Sequence, residues 1–454
     1  MELTFFHYVG IAAALFTAVW ISVRAGKNIK NNEDYSVGGR SAGTTTITGG
    51  MLGVLIGGAS TAGTAQMAFS AGMVALTFSF GLALGMLLLG CGYAQKIRMN
   101  SFTTVPEIMT VYYGIGGRVI CGLASMVGLF LAVCASMLTA IHILMLIFSA
   151  QALTAILLIV MMIGLLLYVG GLNGSGLAGV FKTVLVAIVL LTGGYLSFSG
   201  LGGWTGLQNS FAPAMLDIFG GNFNNTVANS LALIIGIFVA QSYTQVIVSA
   251  VSTEVAVKSV RLAALIVLPL GLPTVLIGMF MRLHHPDITP IMALPLYLLN
   301  YLPDWLGGIG LAAVLLSCFG SIGGIVLGMS TIMVKDVCAP FMRERKDTFF
   351  LILNRSFVLG LLSLVALFCY LNMDGMVLTW NYLSMSFRSS GLFFPYFLAL
   401  FVKRRVRVSY ALAAMVLGTA ASLALGVVYT DMMHTLIPAM LLSLVICLVG
   451  MRTV

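Results

Sequence analysis

Charge is scarce in this chain: 22 Lys and Arg and 13 Asp and Glu leave 8 % of 454 residues charged, against 60 % hydrophobic. Water-soluble domains carry about 25 % charged residues, so a solvated surface cannot be built from this supply. The net charge of +9 therefore does not read as a nucleic-acid footprint, and no nucleic-acid partner is expected. Paired cysteine is missing too. Cys91, Cys121, Cys134, Cys318, Cys338, Cys369 and Cys447 lie in or beside apolar stretches without a CxxC pair or clustered histidines, which argues against a disulfide framework and a structural zinc site. A Walker loop, HExxH, GxSxG and a dinucleotide fingerprint after a strand are all absent. No enzyme is expected, and without a nucleotide site any pumping must draw on a gradient.

What the chain has is long apolar runs. A bilayer core takes about 20 mostly apolar residues per helix, and that ruler finds thirteen candidate spans: 5–25, 46–70, 73–95, 117–148, 152–171, 175–198, 226–250, 259–282, 305–333, 349–371, 375–401, 409–428 and 432–450. The first lacks a basic start and a cleavage site, so it is expected to be a retained helix. Basic residues in short loops stay on the cytoplasmic side. With the N-terminus outside and the C-terminus inside, 19 of the 22 basic residues fall there, leaving Arg282 outside and Lys182 and Arg388 within spans. The expectation is an all-α, multi-pass protein of the cell membrane whose surroundings are the lipid bilayer, with no obligatory protein partner evident.

Two spans are loosened by small and polar residues. The second contains Gly49, Gly50, Gly53, Gly57, Gly58, Ser60, Thr61 and Gly63; the seventh contains Asn229, Ser230, Gly236, Gln241, Ser242, Thr244 and Gln245. They stand five spans apart. Because five is odd, two five-helix units in tandem must cross the membrane in opposite senses, the inverted-repeat arrangement of many secondary transporters. The expected divisions are an extra helix and loop at 1–45, repeats at 46–198 and 199–401, and two further helices at 402–454. Peptide carbonyls freed at mid-membrane are tolerated only where they face protein or a wet cavity, where they can ligate an ion or solute. Close helix packing through small residues is the alternative reading.

The segment Asp34-Tyr35-Ser36-Val37-Gly38-Gly39-Arg40 resembles the loop motif of the sodium:solute symporter family. Further matches are Gly57 to Gly63 with Phe69 and Gly72, Val105-Pro106-Glu107, Gln241 and Gln245, and Ser317 to Asp336. The resemblance implies a ten-helix core of the leucine-transporter type, one helix before it and two after. It implies sodium-driven uptake of a small organic solute by alternating access. It also implies a sodium site of main-chain carbonyls at Gly53 and Ile56, the carbonyl of Ser317, and hydroxyls at positions 320 and 321, of which Ser321 has one and Gly320 none. Gly57, Ser60, Gln241 and Gln245 are the expected contacts to the solute.

Departures from the family pattern bear on the coupling ion. Where the family commonly carries Thr-Asp, this chain has Lys182-Thr183. A charged lysine in hydrocarbon must find oxygens, lose its proton or snorkel to the surface. If its ammonium fills the sodium position, a proton on Lys182 replaces sodium, and transport is proton-coupled or an uncoupled exchange. Arg388, in the eleventh span, cannot shed its proton and needs an anion, carbonyls or water. With no acid expected near mid-depth, it favours a carboxylate-bearing solute held bidentately, against a purely structural role. His142 is more simply a histidine bonded within the bundle. A membrane sensor and a channel are the rival readings from other classes.

Overall fold

The computed structural model describes residues 3–25, 36–100, 102–342, 346–373, 375–402, 406–429 and 431–451. Asp34 and Tyr35 of the loop motif, and the basic run at 403–405, lie outside the described residues. Helix α1 (Phe5–Ala25) is followed by α2 (Thr44–Leu55), α3 (Thr64–Ala71), α4 (Leu76–Leu88), α5 (Val105–Phe148) and α6 (Ala152–Gly200). After two short helices come α7 (Phe223–Phe238), α8 (Gln241–Val248), α9 (Thr253–Val267), α10 (Gly271–His284), α11 (Ala293–Tyr301), α12 (Asp304–Ile332), α13 (Asp347–Tyr370), α14 (Val377–Phe401), α15 (Val408–Val428) and α16 (Met432–Val449).

Both glycine-loosened spans are broken. Helix α2 ends at Leu55, Ile56 turns extended (φ −88°, ψ 93°), and a π-turn over Ala59–Gly63 leads into α3. Ser60 holds this break: its hydroxyl accepts from Gly57 N at 3.0 Å and donates to Leu55 O at 3.1 Å. Gly57 and Gly58 are required by close approach, because a methyl at either would meet the Ser321 or Thr139 side chain at under 2.9 Å. In the seventh span α7 stops at Phe238, Ala240 is extended, and α8 leaves at 40°.

Among the described residues eight helices are long and apolar enough to cross a bilayer, nine if the bent α7 and α8 pair is one span. The difference from thirteen has physical causes. The break at Ile56 divides one expected span, and the continuous stretch Ala59–Met99 joins its second half to the next. In α14, Asn381, Arg388 and a row of serines dilute the apolar run. Helix α6 is assigned continuously over 49 residues, of which Gly176–Gly200 counts as a span and Ala152–Gly164 is a shorter apolar stretch.

Helix α12 is the axis of the bundle. The apolar window of its stretch is 83 % buried, against 28 % for α15, 33 % for α13 and 39 % for α16, which lie outermost. Its Gly307, Gly308, Gly310, Gly320, Gly323 and Gly324 let α1, α2, α6 and α11 approach closely, the small-residue packing that membrane helices use in place of a hydrophobic driving force. The start of α5 follows from Val105-Pro106-Glu107: Thr104 caps it by accepting from Glu107 N at 3.1 Å, Pro106 lies in its first turn, and the Glu107 carboxylate accepts from Thr103 N, the residue before the cap, at 2.8 Å, an arrangement akin to a capping box. In the loop before α2, Gly38 and Gly39 take positive φ (58° and 62°), and Ala42 pairs with Ser249 and Val251 beyond α8. The two broken regions are thereby tied together at one end.

Candidate functional site

The two breaks face one interior cavity. Its walls include Val54, Leu55, Gly57 and Ala59 from the first, Ala240, Ser242 and Tyr243 from the second, and Ser136, Ser321, Asn381 and Arg388 from α5, α12 and α14. Its volume is about 30 Å³, room for roughly two water molecules rather than for an organic solute.

Beside the cavity the peptide oxygens freed by the first break are occupied. Lys182, 2 % exposed, directs its ammonium to Gly53 O at 2.8 Å, Ile56 O at 2.8 Å and Ser317 O at 3.0 Å. An ammonium has three protons and no acceptor, so these three carbonyls satisfy it completely. Two are available because Gly57 N bonds Ser60 instead of Gly53 and because Ile56 lies outside the helix. Gly53, Ile56 and Ser317 are therefore brought together around Lys182 Nζ. Ser321 lines the cavity but donates to Val54 O at 3.1 Å, and the Ser317 hydroxyl turns back to Ala313 O at 2.8 Å.

Arg388 is 1 % exposed and pairs with no carboxylate among the described residues. Its Nε donates to Ser384 O at 3.1 Å and one terminal nitrogen to Ser384 Oγ and Met385 Sδ, both at 3.0 Å. All are neutral and all belong to its own helix. The stem is pressed into place by α5, since a methyl on Gly128 would lie 2.6 Å from its Cγ and 2.9 Å from its Cδ. Arg388 is among the residues that line the cavity.

Gln241 and Gln245 are elsewhere. Gln241 accepts from Val105 N at 2.9 Å and donates to Thr103 O at 3.1 Å; Gln245 donates to Ser36 O and to Thr331 Oγ1. Neither lines the cavity; both seal the end of the bundle nearest the start of α5. A charged group accompanies them: Arg118 pairs with Asp336 at 2.8 Å, and Lys335 donates to Thr103 Oγ1 at 2.6 Å with Glu107 at 3.8 Å. Glu107 and Asp336, named above as family matches, thus each face a basic partner at this end of the bundle. His142 bonds Leu138 O in its own helix at 2.8 Å. Ser136, Asn381 and Gly128 carried no motif that could have marked them. On the opposite side Arg282 stands over the Phe69 ring at 5.4 Å.

A helical bundle in which two interrupted helices meet at an inner cavity, with buried cations beside it, defines a multi-pass secondary transporter. The model of the sodium:solute symporter family matches residues 35–418, and the chain belongs to that family. No curated protein sequence matches it. Among solved structures it is similar to a sodium-coupled sialic acid symporter in a substrate-bound outward-open state, with TM-score 0.84 at 15 % identity over 99 % of both chains. It is also similar to a transporter of the nucleobase-cation-symport-1 family in a closed conformation with bromovinylhydantoin bound (TM-score 0.59, 15 % identity, 92 % of this chain and 95 % of that one). At these identities the likeness is one of fold.

Proposed function

We propose that this protein imports a small carboxylate-bearing solute, and that the Lys182 ammonium stands where the family implies a sodium ion. The observation that carries the proposal is the three-carbonyl cradle of Gly53, Ile56 and Ser317 at 2.8, 2.8 and 3.0 Å from Lys182 Nζ. A free cation can leave the site with the solute, whereas a tethered one cannot. The only charge Lys182 can hand over is a proton. A cycle in which it does so is proton-coupled, and a cycle in which it does not is exchange. Family membership favours sodium as the second reading, with the ion held away from this cradle.

Arg388 is the proposed anion anchor. Its present bonds are to neutral groups of its own helix, so a carboxylate entering the cavity would bring the missing countercharge in bidentate form. Sialic acid, the solute named for the structural relative, is itself an acid. Gly57, with its backbone at the cavity wall, and Ser60, which fixes the break, shape the chamber; Gln241 and Gln245 act in closing it. The proposed architecture is thirteen spans with the N-terminus outside, two inverted repeats and the divisions given above. Uptake into proteoliposomes tests the coupling: a pH gradient, or internal solute, drives accumulation in sodium-free buffer, and an inward sodium gradient at fixed pH adds nothing. Uptake that requires sodium would overturn the tethered-cation reading.

A further inference from the structure

We infer that Gly320 and Lys182 are two halves of one device that sets ion dependence, so that a small residue at 182 together with serine at 320 converts the cradle into a sodium site. The inference rests on the reading of Lys182 as the tethered cation. Taken singly, each residue is an odd departure from the family pattern: a lost hydroxyl on α12 and an ammonium on α6. The geometry makes them one departure. A Cβ at position 320 would lie 2.7 Å from Lys182 Nζ, 3.2 Å from its Cε and 3.3 Å from Gly53 O. Side chains are often soft neighbours, but this one is not. Its tip is held by three carbonyls, and any shift that relieves the contact lengthens those bonds. Glycine at 320 is thus the residue that admits the ammonium.

The same distances say what the reverse exchange does. With the lysine truncated, Gly53 O, Ile56 O and Ser317 O converge on a point with no positive charge. A serine at 320, whose Cβ stands within 3.3 Å of Gly53 O, adds a hydroxyl to that oxygen set. Hard cations are held by several oxygens from carbonyls and hydroxyls, and three fixed carbonyls supply most of such a shell.

The test uses the full-length protein, purified and reconstituted, as wild type, Gly320→Ser, Lys182→Ala and the double variant. Sodium chloride and choline chloride are compared by thermal unfolding and by uptake. The double variant is expected to be stabilised by sodium in a saturable way, since a bound ion shifts unfolding by mass action. Replacing choline by sodium should raise its uptake about tenfold, the size of shift expected from an ion held about 1.4 kcal/mol more tightly by the transport-competent state. Wild type should respond to neither change. If wild type itself needs sodium, the reading of Lys182 falls and this inference falls with it. If wild type is sodium-independent and the folded double variant ignores sodium, the reading of Lys182 stands and this inference alone is lost.

A steric cycle guards against misfolding of the double variant. Gly320→Ala should lower the unfolding temperature in the presence of Lys182 and leave it unchanged in the Lys182→Ala background. Equal effects in the two backgrounds would refute the pairing.

Discussion

Among the described residues two buried cations lie within this bundle, and their surroundings differ in kind. Lys182 is saturated: three protons meet three backbone oxygens contributed by two other helices. Arg388 is held by Ser384 and Met385 of its own helix and is among the residues lining the cavity. A buried cation whose every donor is engaged by main chain is part of the fold. One without an internal countercharge fits the anion anchor proposed for Arg388. Removing each should separate stability from affinity.

The largest effect is expected from Lys182→Met. Three carbonyls at the break lose their donor, and buried acceptors left unpaired cost about 1–3 kcal/mol each, with relaxation returning part of it. Folding stability should fall by about 3 kcal/mol, read as a marked drop in unfolding temperature of the detergent-solubilised protein, and uptake should fall with it. Unchanged stability would mean that the cradle holds nothing the fold needs. Arg388→Gln comes next and has the opposite signature. A charge-assisted pair to a solute carboxylate contributes about 1.5–3 kcal/mol, so uptake at low solute should fall roughly 10- to 150-fold, while surface expression and unfolding temperature stay near wild type because no internal ion pair is broken. Parallel loss of uptake and expression would make Arg388 a structural residue like Lys182. Gly128→Ala sharpens the same contrast from the neighbouring helix. Its methyl would stand 2.6 Å from Arg388 Cγ, and overpacking of this kind costs about 1–3 kcal/mol. Because the guanidinium is displaced rather than removed, apparent affinity should weaken less than in Arg388→Gln, measured as a raised KM with little change in maximal rate.

How much of this was written in the sequence differs between the two cations as well. Apolar runs and glycine-loosened segments located the helices and both breaks, since backbone that leaves helical geometry in a membrane needs small residues and hydroxyls, as at Gly57, Gly58 and Ser60. The cradle was legible because Gly53, Ile56 and Ser317 occupy recognisable positions, and the oddity of Lys182 pointed into it. The cavity side was read less well. Gln241 and Gln245 looked like solute contacts because they are polar within an apolar span. The kink at Ala240 rotates α8 so that both amides meet the loop before α5 and the one before α2. A sequence gives the period of a helix but not its rotation after a break. The same limit hid Asn381 and Ser136, polar residues without a motif, and Gly128, whose importance lies in what stands against it.

The smallest effect expected concerns the break that both cations share. Ser60 Oγ accepts from Gly57 N and donates to Leu55 O, so it satisfies one orphan donor at the start of the second half and one carbonyl at the end of the first, much as a helix cap does. Replacing a capping hydroxyl by a methyl costs about 1 kcal/mol. In Ser60→Ala the Gly57 N–H loses its acceptor, and its nearest alternative is Gly53 O, the helical partner it would have in an unbroken α2 and the oxygen now engaged by Lys182 at 2.8 Å. Competition for that oxygen should loosen the ammonium without displacing it. The expected result is a small loss of unfolding temperature, additive with Arg388→Gln, and less than additive with Lys182→Met. Additivity with both would show that the break and the cradle are independent, and the comparison between the two cations would then rest on Arg388 alone.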